Sequence, residues 1–159
     1  MLSPELLEST ASEPLTLEEE YQMQQNWQLD SDKLTFIIVA RPHLLVDGSS
    51  TISGEVPSPE QIATFQMVGD VNLFFKGSAE EGDEEVEAEV MIAEPAYRRK
   101  GVAHQALNLI FGYVTSPDGP ESLRIPSERL VVRIGESNSA SIRLFEKLGF
   151  KITKIVEVF

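Results

Sequence analysis

The sequence contains no cysteine and only two histidines, His43 and His104. Disulfides, thiolate metal sites and a cysteine nucleophile are excluded together, and with two histidines an all-protein zinc site is not expected. No apolar run approaches the roughly 18 residues a membrane span requires. Met1–Thr10 has neither the basic start nor the apolar stretch of a secretory signal. The expectation is a cytoplasmic protein with no metal and no membrane partner. Cations are scarce, 13 Lys and Arg against 26 Asp and Glu, for a formal net charge of −13. A general nucleic-acid binder needs clustered Lys and Arg to neutralise phosphates, so that class is set aside. The acidity fits either a cationic partner or simple solubility.

What is present suffices for one domain: 159 residues, 42% of them apolar. Thr16 with Glu19 three positions on is a capping signal for a helix over Leu17–Trp27. Leu34–Ala40, compact, apolar and β-branched, predicts a buried strand. Arg41–Gln61 carries Pro42, Gly48, Gly54, Pro57 and Pro59 among serines and reads as a long loop. Alternation resumes at Met67–Phe75, with Val71, Leu73 and Phe75 on one side and Asp70 and Asn72 on the other. It returns at Glu85–Ile92, where Val86, Ala88, Val90 and Ile92 oppose Glu85, Glu87, Glu89 and Met91. The acidic turn Gly77–Glu84 makes the pair a hairpin.

His104–Val114 has Ala106, Leu107, Ile110, Phe111 and Val114 at helical spacing and is followed by breaker-rich Pro117–Pro126. Leu130–Ile134 reads as a strand, Asn138–Leu148 as a helix with Gly149 at its stop, and Phe150–Phe159 as a closing strand. Helix, three strands, helix, strand, helix, strand implies a mixed α/β (α+β) sheet with an antiparallel hairpin and a parallel crossover. The expected organisation is a single domain over 1–159, with 41–61 and 115–127 as loop insertions.

One stretch suggests chemistry. From Met91 to Ala103 a strand ends, a basic turn Arg98-Arg99-Lys100 follows, and a helix begins at once. Free N–H groups and the positive dipole end at a helix start suit a diphosphate, and Gly101 and Ala103 let it approach the main chain. A surface turn whose cations offset neighbouring acids would look the same. A Walker loop and a dinucleotide fingerprint are excluded by spacing.

Arg98-x-x-Gly101-x-Ala103 resembles the acyl-CoA motif of the GNAT N-acetyltransferase superfamily. Asn138 through Phe150, ending Glu-Lys-Leu-Gly-Phe, is similar to that superfamily's late helix. More narrowly, Thr10–Trp27, Met67–Phe74 and Glu89–Pro95 look like the eukaryotic N-acetyltransferase 9 family. The resemblance implies a GNAT fold transferring acetyl from acetyl-CoA to a protein or peptide amine, with tubulin N-termini as proposed targets. It implies further that Met91, Ile92 and Ala93 contact the pantetheine arm, with Ile92 N–H as oxyanion donor. Arg98, Arg99, Lys100, Gly101, Val102 and Ala103 would hold the diphosphate, and Asn138 the arm from the other side. That fold usually has a strand and helix ahead of the segment seen here and a further strand after Phe159, so first and last elements are expected to be lacking.

Acetyl transfer to an amine needs placement and a base, because an α-amine titrates near ~8 and a lysine near ~10.4. Glu87 and Glu89, on one face beside Asp70 and Asn72, are the candidates; pairing with Arg133 or simple exposure is the competing account. Many GNAT enzymes place a tyrosine in the last helix as acid for the thiol, where this chain has Phe145. Tyr97 and Tyr113 are alternatives without an assigned place. Two rival readings follow: a catalytically weak acyl-CoA or peptide-binding module of the same fold, and a microtubule-associated interaction protein.

Overall fold

The computed structural model describes residues 15–41, 56–78, 80–119 and 121–157. Helix α1 spans Leu17–Leu29 and opens with a reciprocal capping box. Glu19 N–H donates to Thr16 Oγ1 at 3.3 Å, and Thr16 N–H donates to Glu19 Oε2 at 2.8 Å. It buries no residue. Its Trp27 ring meets Lys33 Nζ at 3.8 Å from the ring centroid, tying the helix to the sheet. Strand β1 (Lys33–Ala40) follows, then a single helical turn, α2 (Pro59–Ile62), capped by Ser58 with proline at its first position. This turn lies inside the stretch expected as loop; residues 42–55 of that stretch lie outside the described residues.

Strands β2 (Gln66–Lys76) and β3 (Glu85–Ile92) form the expected antiparallel hairpin. Gly77 and Gly82 take left-handed φ values of 78° and 70° in the turn between them. Helix α3 (Val102–Thr115), the two-residue strand β4 (Leu130–Val131) and helix α4 (Ser139–Lys147) complete the α-helices and strands among the described residues, with short 3-10 turns at Pro95–Tyr97, Glu121–Leu123 and Ser127–Arg129. The sheet order is β1-β2-β3-β4, with β3–β4 parallel and the other pairs antiparallel.

Register divides the sheet into two faces. Leu34, Val71, Leu73, Val86 and Ala88 pack against Leu107, Ile110 and Val114 of α3 and Phe145 of α4. The opposite face carries Thr35, Asn72 and Glu89 in one row, and Lys33, Phe74, Glu87 and Val131 in the next. A β-bulge between Ile38 and Val39 shifts the β1–β2 register at the far end.

Three expectations are corrected. β1 lies at the border of the described sheet, and Phe36 and Ile37 remain 44% and 50% exposed, so its apolar run does not mark a buried strand. Leu130–Ile134 pairs over two residues; Val132 and Ile134 are apolar because they pack on the core, not because they join a ladder. Lys151–Glu157 forms no strand, and Ile152, Ile155 and Val156 are exposed. Phe150 instead packs against Phe111 and Phe145, with ring centroids at 5.5 and 5.3 Å.

Candidate active site

β3 and β4 pair at Val86 with Leu130 and at Glu87 with Val131, and there the ladder stops. Register decides which main-chain groups face the gap beyond. Phe75 N–H donates to Asp32 C=O at 2.8 Å, so Phe75 faces β1, and its β3 neighbour Val86 turns away from β2. Main-chain direction alternates along a strand, so Ala88, Val90 and Ile92 turn toward the gap with Val86, while Glu87, Glu89 and Met91 bond β2. Ile92 thus offers its N–H to the opening. The main chain of Met91 does not; Val90, passed over in the sequence, takes its place. Only the hairpin register could have revealed the difference.

The basic turn is built on the end of β3. Arg98 donates from Nε to Ile92 C=O at 2.9 Å and from Nη2 to Ala93 C=O at 3.2 Å. Its guanidinium fixes the turn to the strand rather than lying ready as a free charge. Arg99 and Lys100 are exposed, and Arg99 is left-handed with φ 57°. Gly101 caps α3 at φ 81° with no side-chain acceptor over the first turn, so the first N–H groups of the helix carry no side-chain cap. A Cβ built on Gly101 meets nothing within 4 Å. Val102 turns its side chain to a different space, an apolar cavity of about 730 Å³ between β1 and α3 that Tyr97 and Tyr113 also line. Neither tyrosine is placed at the β3–β4 gap: Tyr113 packs edge-on against Phe36, and Tyr97 OH donates to Gln66 Oε1 at 3.5 Å.

On the polar face the two glutamates part ways. Glu87 is 5% exposed and bonded by Lys76 Nζ and by Arg133 Nη1, the latter at 2.5 Å. Glu89, one row on, is exposed and has no ion pair among the described residues. Although the residue as a whole is exposed, desolvation of its carboxyl against the sheet first, and then the Glu87 carboxylate, raise that carboxyl above the ordinary value. Asp70 is raised as well, by burial, against the hydrogen bond from Asn72 and the charge of Lys33. Asn72, 5% exposed, accepts from Thr35 Oγ1 at 2.7 Å and donates from Nδ2 to Asp70 Oδ2 at 2.6 Å. This chain fixes the amide's orientation and leaves Asp70 Oδ1 without that bond. Asp70 and Asn72 were legible only as the polar side of a strand.

Asn138 caps α4, its Oδ1 accepting from Ser141 N–H at 3.1 Å, with its amide nitrogen on an exposed residue. Phe145 is core at 4% exposure. Among the described residues no group of three His, Asp or Glu side chains clusters to hold a metal, and no helix is long and apolar enough to cross a membrane.

A family model described as an acetyltransferase (GNAT) domain matches residues 1–151. An N-acetyltransferase 9-like protein of Dictyostelium discoideum is 43% identical over 159 residues, covering 100% of this chain and 70% of its own length. The chain belongs to the GNAT acetyltransferase family. Within it, the chain groups with the N-acetyltransferase 9-like proteins; the alpha/beta-tubulin-N-acetyltransferase 9 of Drosophila melanogaster is 38% identical, also over 100% of this chain and 70% of its own. The solved aminoglycoside 6'-N-acetyltransferase of Acinetobacter haemolyticus shares the fold, with a TM-score of 0.56 over 92% of this chain and 82% of its own at 14% identity.

Membership in this GNAT family carries the reaction class, transfer of acetyl from acetyl-CoA to an amine. The residues present fit that co-substrate. An α3 start without a side-chain cap offers N–H donors to a diphosphate, and the space beside Gly101 is open to it. Ala88, Val90 and Ile92 present main-chain groups to an amide-bearing arm.

Proposed function

We propose that this GNAT chain acetylates the α-amine at a protein N-terminus, with acetyl-CoA along the β3–β4 gap and Glu89 as base. One observation carries the reading: Glu89, its carboxyl raised and without an ion pair among the described residues, stands one residue from Val90, whose N–H faces the gap. Acetyl-CoA supplies an activated acyl group whose thiol, with a pKa near ~8.5, leaves as thiolate without help from a tyrosine.

The chain's own residues do the rest. Gly101, Val102 and Ala103 would bind the diphosphate through main-chain N–H groups, with Arg99 and Lys100 adding charge and Arg98 holding the turn in shape. Ile92 N–H orients the carbonyl and receives its developing negative charge, while Val90 N–H, ~6.7 Å back along the strand, bonds the arm. Glu89 accepts the ammonium proton, directly or through water, Asp70, held by Asn72, helps hold the cation before deprotonation, and the second proton, lost from nitrogen as the amide forms, passes to the departing thiolate or to solvent. Asn138 would close the arm from the α4 side with its amide nitrogen.

Magnitudes favour the α-amine over lysine. A carboxylate, even one with a raised pKa, is a weak base, and the ~2.4-unit gap between an α-amine and a lysine makes the lysine about 3 kcal/mol more costly to deprotonate. Three relatives are named for α/β-tubulin, and tubulin N-termini are therefore the substrates we propose first. Incubation with acetyl-CoA and a peptide library carrying free α-amines and internal lysines, read by mass spectrometry, tests this. Acetyl on N-termini, tubulin sequences foremost, is expected; acetyl confined to lysine side chains would contradict it.

A further inference from the structure

Glu87 was the sequence's other candidate base, and its surroundings give it a different task. In a regular parallel continuation of the β3–β4 register, Val86 with Leu130 and Glu87 with Val131, Arg133 would lie beside Glu89. Instead its guanidinium reaches back to the closed end of the gap, Nη2 to Glu85 Oε1 at 2.6 Å and Nη1 to Glu87 Oε2 at 2.5 Å. Arg133 sits two residues past the last paired position of β4, on chain that has already left the ladder. Lys76 of β2 bonds the same Glu87 oxygen, and Arg129 bonds Glu84 at 2.7 Å at the base of the same opening.

We infer that the Glu87–Arg133 pair is a strut that sets how far β4 stands from β3, and so the width of the gap, while keeping the guanidinium off Glu89. Glu87 is thereby a positioning residue. The inference rests on the reading that the gap takes acetyl-CoA. The physical case is the contrast in burial: Glu87's side chain is 7% exposed and Arg133's 57%. A buried carboxylate is tolerable only when paired, so the exposed partner is drawn down to it. Two charge-assisted bonds to successive same-face residues of β3 hold the parted segment at one distance. That segment leads through Gly135, whose carbonyl accepts from Asn138 N–H at 2.9 Å, into the α4 cap. Both walls of the gap are therefore referred to the same anchor.

The test compares Glu87→Gln, Arg133→Met, Glu89→Gln and Gly101→Glu in steady-state kinetics against pH and in acetyl-CoA titration, with melting curves to verify folding. A strut predicts that Glu87→Gln and Arg133→Met raise the KM for acetyl-CoA between ~10- and ~100-fold, the scale of a small misplacement. It also predicts that they leave the acid limb of the kcat profile where it was. The groups facing Glu87 and Glu89 that could move that limb are Lys33, Asp70, Lys76, Glu85 and Arg133. Loss of the acid limb in Glu87→Gln with KM unchanged would overturn the strut and return Glu87 to the role of base. Unchanged affinity in Arg133→Met alongside abolished affinity in Gly101→Glu would overturn the strut while leaving the gap in place. Unchanged affinity in Gly101→Glu as well would overturn the gap, and the strut with it.

Discussion

Gly101 begins α3 with φ 81° and ψ 1°, and a Cβ built there points into open space. Substitution therefore has two separable effects. Holding a residue other than glycine in this left-handed region costs roughly 1–2 kcal/mol. In a chain of this size each kcal/mol lowers Tm by about 2–4 °C, so Gly101→Ala should melt roughly 2–8 °C lower. Gly101→Glu carries the same strain and adds a carboxylate in the space proposed for a diphosphate. At a separation of ~4 Å and an effective dielectric between ~20 and ~80, repulsion by one phosphate charge is about 1–4 kcal/mol. Affinity for acetyl-CoA should then fall between ~5- and ~1000-fold beyond any loss in Gly101→Ala. Titration calorimetry at several salt concentrations reads the difference, which should shrink as salt screens the charge. Equal affinity in the two variants would refute the reasoning, because strain alone would then account for every effect at this position.

Two further outcomes concern the polar face. Glu89→Gln should lower kcat by roughly 10²–10⁴-fold and remove the acid limb of the pH profile while leaving the KM for acetyl-CoA in place, measured by steady-state kinetics. Burial raises the carboxyls of Asp70 and Glu89, so the folded chain binds more protons than the unfolded one between the ordinary carboxylate range and the raised values. Their contribution to stability is fully present below the ordinary range and is lost as pH rises through the raised one. Asp70→Asn should accordingly gain Tm relative to the parent as pH rises across that window, while lowering activity; a Tm difference independent of pH would contradict it.

Much of this architecture was readable because simple periodicities carried it. Thr16 and Glu19 marked a helix start that the capping box realises, and the alternation of Val86, Ala88, Val90 and Ile92 against Glu87 and Glu89 fixed the two sheet faces. Apolar content misled where burial and pairing come apart. Val132 and Ile134 are half-buried against the core without a ladder, and Ile152 and Ile155 are apolar yet exposed. At the site, the helix start just after the basic turn was legible from the motif, whereas Gly101's left-handed φ and the separate fates of Glu87 and Glu89 were not. That distinction depends on Arg133, 46 residues from Glu87 in sequence, reaching one and not the other. Asn72's link between Thr35 and Asp70 likewise depends on cross-strand register that a single strand's pattern does not contain.

The most direct test is a crystal structure with acetyl-CoA bound. The diphosphate is expected at the N–H groups of Gly101, Val102 and Ala103, with the arm beside Ile92 and Val90 and the thioester on the Glu89 side of the sheet. An arm seated instead in the apolar cavity between β1 and α3, against Phe36 and Tyr113, would contradict the account.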